Sequence, residues 1–83
     1  MNNYSILIPI HNEVKSIPLL LTSIEIYRLQ GNEILIIDDG STDGSTELLT
    51  NNNQINLIKL KKNQGKGFAI IQGLKRAKYN KII

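Results

Sequence analysis

Two adjacent carboxylates, Asp38 and Asp39, end an apolar run of strand length near the middle of this 83-residue sequence. The run, residues 33–37, is rich in isoleucine, which is typical of a strand buried on both faces of a parallel sheet. Ligands bind at the carboxyl ends of strands in open α/β sheets, and two neighbouring carboxylates disfavour burial because they repel each other. The pair therefore indicates a polar ligand site. The alternative is a loop whose Asp, Ser and Thr side chains cap the next helix.

Two other loops, residues 9–13 and 63–67, carry groups that suit a nucleotide. The flat imidazole of His11 can stack on a base, and a carboxylate at the end of the acidic strand can accept the N3–H of uracil. Lys66 adds a positive charge for a diphosphate. Jointly, at successive strand ends, these groups predict a nucleotide site, whereas His11 alone would be a loop histidine and Lys66 alone a surface lysine.

The glycines of the third loop support the same chemistry, since Gly65 and Gly67 let the backbone approach a ligand at a helix start that favours an anion. The segment is not a P-loop, because the glycine spacing and the Lys-Ser/Thr pair are absent from it. Taken alone, Gly65-Lys66-Gly67 would be a turn that starts a helix.

The elements that must position these loops alternate along the chain. Strands are predicted at 4–10, 33–38 and 55–60, with the regular part of the first ending at about Pro9 and the third nearer an edge. Helices are predicted from Ser16 to the left-handed cap at Gly31, at 45–50 and at 67–78, and residues 81–83 resemble the opening of a fourth strand. The order β-α-β-α-β-α-β predicts an α/β fold with a mostly parallel sheet.

Helical spacing predicts which faces of the helices meet the sheet. The first helix has one apolar face, formed by Ile17, Leu20, Leu21, Ile24 and Tyr27. The third has an apolar face formed by Ile70, Ile71, Leu74 and Ala77. Ala69 and Gly73 lie four residues apart and predict a close approach to a neighbouring element.

Composition limits the class of protein. Eighty-three residues form one small domain, and the sequence has no cysteine, so disulfides and cysteine metal sites are excluded. We find no signal peptide and no apolar run long enough to span a membrane, which predicts a cytoplasmic location. Eight of the ten basic residues lie between Lys59 and Lys81. We interpret them as the solvated face of a helix in preference to a surface that binds nucleic acid or an acidic membrane. The sequence has no recognised nucleic-acid-binding motif.

Three segments together resemble the family 2 glycosyltransferases, which have the GT-A fold. Residues 5–13, Ser-Ile-Leu-Ile-Pro-Ile-His-Asn-Glu, resemble the family's opening strand and Pro-x-Tyr-Asn-Glu motif. Residues 33–46 resemble its second strand and Asp-Asp-Gly-Ser-x-Asp-Gly motif, and residues 63–67 its Asn-x-Gly-x-(Gly/Ala) segment. The Gly-Lys-Gly form favours the polyprenyl-phosphate and dolichyl-phosphate sugar transferase branch. The resemblance implies a Rossmann-like, three-layer half of a GT-A fold, truncated at the fourth strand.

The resemblance also implies a donor, a UDP- or GDP-linked sugar, and assigns residues to it. By position, the nucleotide-binding residues would be Pro9, Ile10, His11, Glu13, Asp38, Asp39, Gly40 and Lys66. Asp39 would bind the base with Asp38 close by, and Lys66 would lie where the third loop approaches the nucleotide. His11 replaces the family's common Tyr.

The resemblance implies further parts that these 83 residues do not contain. In the family, the fourth strand leads into an Asp-x-Asp motif that holds Mg²⁺ or Mn²⁺ on the donor diphosphate. We therefore expect the nucleotide-sugar-binding portion of a longer enzyme of cell-wall or polysaccharide biosynthesis, located in the cytoplasm or at the cytoplasmic face of the membrane. Its acceptor would be a lipid phosphate or a glycan. We expect the chain alone to contain no catalytic residue, to bind nucleotide weakly and to transfer no sugar.

Two alternatives belong to other functional classes. A receiver-like phosphoacceptor domain also has an acidic pair at a strand end, but there the pair follows the first strand. A non-catalytic interaction module is the other alternative, since an exposed edge at residues 81–83 would pair with another chain. This edge predicts a homo-oligomer.

Overall fold

The chain alternates strands and helices in the computed structural model, which describes residues 3–79. The elements in order are β1 (Ser5–Ile10), α1 (Ile17–Leu29), β2 (Glu33–Asp38), α2 (Ser45–Thr50), β3 (Asn56–Lys59) and α3 (Lys66–Arg76). The predicted α/β class is confirmed. The strand predicted at 81–83, with the self-association expected through it, lies outside the described residues.

The three strands of the described range form one parallel sheet in the order β1-β2-β3. The register pairs Ile10 with Asp38, and Asp38 with Lys59. β2 is central, as its isoleucine-rich sequence predicts, and within residues 3–79 β3 pairs with β2 alone. Because all three strands are parallel, the loops that follow them all lie at the same end of the sheet, where the strands end.

Pro9 is the last residue but one of β1, so the strand ends close to where it was predicted to end. The strand continues to Ile10, whose carbonyl accepts the N–H of Asp39 at 2.8 Å. Alternate residues of a strand turn their backbone groups to opposite sides, so the side of Pro9 that lacks an N–H faces away from β2. Proline is therefore tolerated within the strand at this position.

The sheet is covered on both faces, which confirms the three-layer arrangement. α1 and α2 cover one face, where the buried residues are Ile10, Ile17, Ile24, Ile34, Ile36, Leu49 and Ile55. α3 covers the other face, where they are Leu7, Leu35, Ile37, Ile58 and Ala69. Burial on both faces explains why the side chains of β2 are almost continuously apolar.

Small residues bring α3 onto the sheet, as predicted. A Cβ atom added to Gly73 would lie 2.8 Å from the side chains of both Leu7 and Ile37, so glycine allows this distance of approach. The predicted apolar face of α3 is partly wrong, because Ile71 and Leu74 are each about half exposed and the contact is rotated toward Ala69 and Gly73. On α1, Tyr27 is likewise half exposed, although it was predicted on the buried face.

A carboxylate joins the elements at the amino ends of the strands. Glu33 accepts hydrogen bonds from the Ser5 hydroxyl at 2.6 Å, the Asn56 amide at 2.7 Å and the backbone N–H of Lys78 at 2.7 Å. Burial opposes the charge, but these hydrogen bonds outweigh it and lower the pKa of Glu33. The network stabilises the end of the sheet at which the strands begin, opposite the three loops.

Candidate functional site

The three loops at the carboxyl ends of the strands surround one cleft of about 270 Å³. Its lining residues are Pro9, Ile10, His11, Glu13, Asp39, Asn63, Gly65 and Lys66. Six of the eight residues assigned from the sequence are thus brought together. The other two, Asp38 and Gly40, are not among the residues lining this cleft, and Asn63 is a lining residue that the sequence analysis left without a role.

Asp39 anchors the third loop from the end of β2. Its Oδ1 accepts the backbone N–H of Gln64 at 2.8 Å, and its Oδ2 accepts that of Gly65 at 2.9 Å and the Asn63 amide at 3.3 Å. These bonds compensate for the burial of a side chain that is 3% exposed. A carboxylate has about four acceptor positions, so about one remains for a ligand.

Gly40 determines how closely the third loop approaches. Its φ is +71°, and an added Cβ atom would lie 2.4 Å from both the Asn63 nitrogen and the Lys62 carbonyl carbon. A backbone cannot move aside as a flexible side chain can, so only glycine fits at this position. Gly40 therefore affects the cleft indirectly, because it allows the third loop to pack closely against it.

Asp38 holds its own loop. It is 1% exposed, and its Oδ1 accepts the backbone N–H of Ser41 at 3.0 Å while its Oδ2 accepts the hydroxyl of Thr46 at the start of α2. These contacts correspond to the loop-capping alternative for one member of the acidic pair. They also leave the two aspartates with different environments, because only Asp39 lines the cleft.

The loop between β1 and α1 is bonded to the loop between β2 and α2 by four hydrogen bonds of 2.8–3.0 Å. They are Asn12 N–H to Ser41 Oγ, Thr42 N–H to Asn12 Oδ1, Glu13 N–H to Ser45 Oγ and Val14 N–H to Asp43 Oδ2. The hydroxyl of Ser45 donates a hydrogen bond to Asp43, and so do the backbone N–H groups of Val14 and Ser45. These bonds lower the pKa of Asp43. These bonds place His11 and Glu13 at the rim of the cleft.

The other rim is formed by the start of α3. Gly65 precedes the helix with φ +98°, and Lys66 is exposed in its first position. The first N–H groups of a helix have no partner within it and carry a partial positive charge. Together with the Lys66 ammonium, they make this rim favourable for an anion.

The carboxylates of the cleft are poorly suited to a metal ion. Within residues 3–79 no three His, Cys, Asp or Glu side chains are grouped so that they could hold one. Asp38 does not line the cleft, and both of its oxygens accept hydrogen bonds within its own loop. Asp39 accepts three hydrogen bonds, so it alone of the pair could offer a ligand, at about one position. The acidic pair therefore does not fit the divalent ion that the family resemblance implies.

None of the helices within residues 3–79 is long and apolar enough to cross a membrane.

The chain belongs to glycosyl transferase family 2, whose family model matches residues 5–83. A poly-β-1,6-N-acetyl-D-glucosamine synthase of Staphylococcus aureus is 31% identical over 86 residues, which cover 100% of this chain and 21% of that protein. An undecaprenyl-phosphate 4-deoxy-4-formamido-L-arabinose transferase of Aeromonas hydrophila is 36% identical over 87 residues, covering 95% of this chain and 27% of that protein. The predicted family is confirmed, and the chain spans about a quarter or less of the length of these relatives.

Proposed function

We propose that this chain is the nucleotide-binding part of a glycosyltransferase that transfers a sugar from a UDP- or GDP-sugar to an acceptor. The observation that carries the proposal is the convergence of the His11 ring, the Asp39 carboxylate and Lys66 on one cleft. An aromatic surface, a hydrogen-bond acceptor and a positive charge correspond to the base face, the base edge and the diphosphate of a nucleotide. Family membership supports the same chemistry.

Each group has a proposed role. Asp39 accepts an N–H from the edge of the base, His11 stacks on its face, and Pro9 and Ile10 supply apolar contact. Lys66 and the start of α3 bind the diphosphate. The cleft, at about 270 Å³, is smaller than the roughly 300–1,000 Å³ typical of sites that enclose a drug-sized ligand. The sugar therefore extends beyond it.

The transfer reaction needs groups that these residues do not provide. A divalent ion on the donor diphosphate would offset the charge of the leaving nucleotide, but the carboxylates described above do not fit it. We therefore assign binding of the donor to this chain and metal binding and catalysis to other parts of the enzyme. One relative is named for a lipid phosphate and the other for a polysaccharide, so the proposed acceptors are a lipid phosphate or a glycan.

Isothermal titration of the chain with UDP and with GDP tests the proposal. We expect a Kd on the order of 0.1–1 mM for at least one of them, equivalent to about 4–5.5 kcal/mol. Asp39→Asn keeps the size of the side chain but removes its charge, and should weaken binding about tenfold, or about 1.4 kcal/mol. Glu47→Gln, on the exposed face of α2, removes an equal charge away from the cleft and should bind like the parent. Equal affinities for the parent and Asp39→Asn would argue against the assigned site.

A further inference from the structure

We propose that Asn12 is a positioning residue of the cleft, which holds the neutral imidazole of His11 in the Nδ1–H tautomer. The ring is thereby fixed at the rim with both of its nitrogens engaged. The importance of this for ligand binding rests on the proposed function. The tautomer itself is a property of the free chain and can be measured without any ligand.

The orientation of the Asn12 amide follows from its contact with Thr42. The backbone N–H of Thr42 lies 2.8 Å from Asn12 Oδ1, and because a backbone N–H can only donate, the amide oxygen must face it. The amide NH₂ group must then face the other way. There it lies 3.3 Å from Nε2 of His11.

The tautomer of His11 follows in turn. An NH₂ group has no lone pair available to accept, so Nε2 of His11 accepts the bond and carries no hydrogen. In a neutral imidazole the hydrogen then lies on Nδ1. Nδ1 lies 2.8 Å from the backbone carbonyl oxygen of Asp39, which can only accept. Both nitrogens therefore indicate the same tautomer independently.

The backbone at Asn12 restricts which residues can do this. Its φ is +53°, in the left-handed region, which asparagine adopts more readily than most residues with a side chain. Its own N–H donates to the Ser41 hydroxyl at 2.9 Å. Asparagine combines the required backbone conformation with an amide long enough to reach both Thr42 and His11.

One consequence concerns what the ring can offer. With Nδ1 bonded to Asp39 and Nε2 to Asn12, neither nitrogen is available to exchange a proton with a ligand. The face of the ring is then the part left for a ligand, as the proposed stacking on a base requires. Protonation of Nε2 would place its hydrogen against the NH₂ group of Asn12 and break that contact.

Nitrogen NMR of the imidazole in the ligand-free chain tests the proposal directly. His11 is the only histidine in the sequence, so a tag-free chain shows a single pair of ring nitrogens. At neutral pH we expect Nδ1 to be the protonated nitrogen and Nε2 the unprotonated one. An Nε2–H tautomer, or an equal mixture of the two, would overturn the proposal.

Substitutions separate positioning by Asn12 from a general effect on the fold. Asn12→Asp preserves size and the acceptor for Thr42 but presents an oxygen to Nε2, so a hydrogen on Nε2 is favoured. The spectrum of Asn12→Asp should therefore lose the unprotonated Nε2 that marks the tautomer of the parent. Asn53→Asp adds the same charge on the exposed turn before β3 and should leave the ring-nitrogen spectrum unchanged. The other charged residues lining the cleft, Glu13, Asp39 and Lys66, are the same in both variants.

Asn12→Gly provides a second comparison, since glycine adopts the same φ without an amide. We expect a fraction of the Nε2–H tautomer to appear, while the Asp39 carbonyl, which does not depend on Asn12, still favours a hydrogen on Nδ1. An Nδ1–H tautomer as complete as that of the parent would contradict a role for Asn12, as would an Asn12→Asp ring-nitrogen spectrum that coincides with that of Asn53→Asp. If the parent shows the expected tautomer but binds no nucleotide, the positioning stands and the proposed function fails.

Discussion

The carboxylate of Asp39 accepts the backbone N–H of Gly65 at 2.9 Å and so joins the end of β2 to the turn that starts α3. The residue proposed to bind the base is also the residue that positions the loop carrying Lys66. A substitution that truncates Asp39 would release this loop as well as remove a ligand contact. Experiments on the site must therefore separate binding from the integrity of the loop.

Asp39→Asn should destabilise the chain by about 1–3 kcal/mol, because its NH₂ group cannot accept one of the two backbone N–H groups now bonded to the carboxylate. Urea unfolding followed by circular dichroism measures this loss. Glu47→Gln, which removes an exposed charge at the start of α2, should cost about 0.5 kcal/mol or less. If the two variants were equally stable, Asp39 would not be the anchor of the third loop.

Gly40→Ala should be among the more damaging small substitutions, with a loss of about 2–4 kcal/mol. The added methyl group would meet the backbone of residues 62–63 at 2.4 Å, and the positive φ adds strain. Gly67→Ala is the matched control, since nothing lies within 4 Å of its added Cβ atom and its helical position favours alanine. Thermal unfolding should show a lower midpoint for Gly40→Ala and an unchanged or higher one for Gly67→Ala.

The sequence was sufficient to predict the parallel sheet because β2 is apolar from Ile34 to Ile37 and each strand is followed by turn residues and a helical pattern. Its bounds, Glu33–Asp38, match the predicted range. The face of α3 was harder to predict. The spacing of apolar residues predicted Ile71 and Leu74 on the face of α3 that meets the sheet. The observed contact depends instead on Gly73, which has no side chain, and a pattern of apolar residues does not include glycine.

The site was predicted as three converging loops, and the structure brings those loops together. The resemblance distinguished Asp39 from Asp38, but the hydrogen bonds of Asp38 to Ser41 and Thr46 could not be derived from the sequence. The residue types alone do not specify which of two adjacent side chains turns toward the cleft. The role of Asn12 was hidden for a related reason. Its hydrogen bonds join residues about 30 positions apart along the chain.

Glu33→Gln should reduce stability at neutral pH and flatten its dependence on pH in the acid range. The lowered pKa of Glu33 means that the ionised carboxylate stabilises the fold above its ordinary value of 4.5. That contribution is lost as the pH falls below 4.5 through the lower pKa of the folded chain. We expect a difference of about 1 kcal/mol at pH 7, shrinking toward zero at acid pH in urea unfolding. A difference that stays constant with pH would contradict this role.

Lys66→Ala should weaken UDP binding about three- to tenfold while leaving the binding of uridine unchanged, because the ammonium is proposed to contact the diphosphate. Raising the salt concentration should reduce the difference between the parent and the variant. Lys61→Ala removes an exposed lysine that does not line the cleft and is the control. Equal effects of the two substitutions would indicate a diffuse attraction to the basic half of the chain.

The most direct test of the central claim is to map UDP and GDP binding by amide chemical shifts of the labelled chain. We predict that the amides that shift lie in the three loops, at His11 to Glu13, at Asp39 and at Gln64 to Lys66. Amides around Glu33 and Lys78, at the end of the sheet where the strands begin, should stay unchanged. Shifts centred on these amides, or no shifts at millimolar nucleotide, would contradict the assignment of this cleft as the nucleotide site.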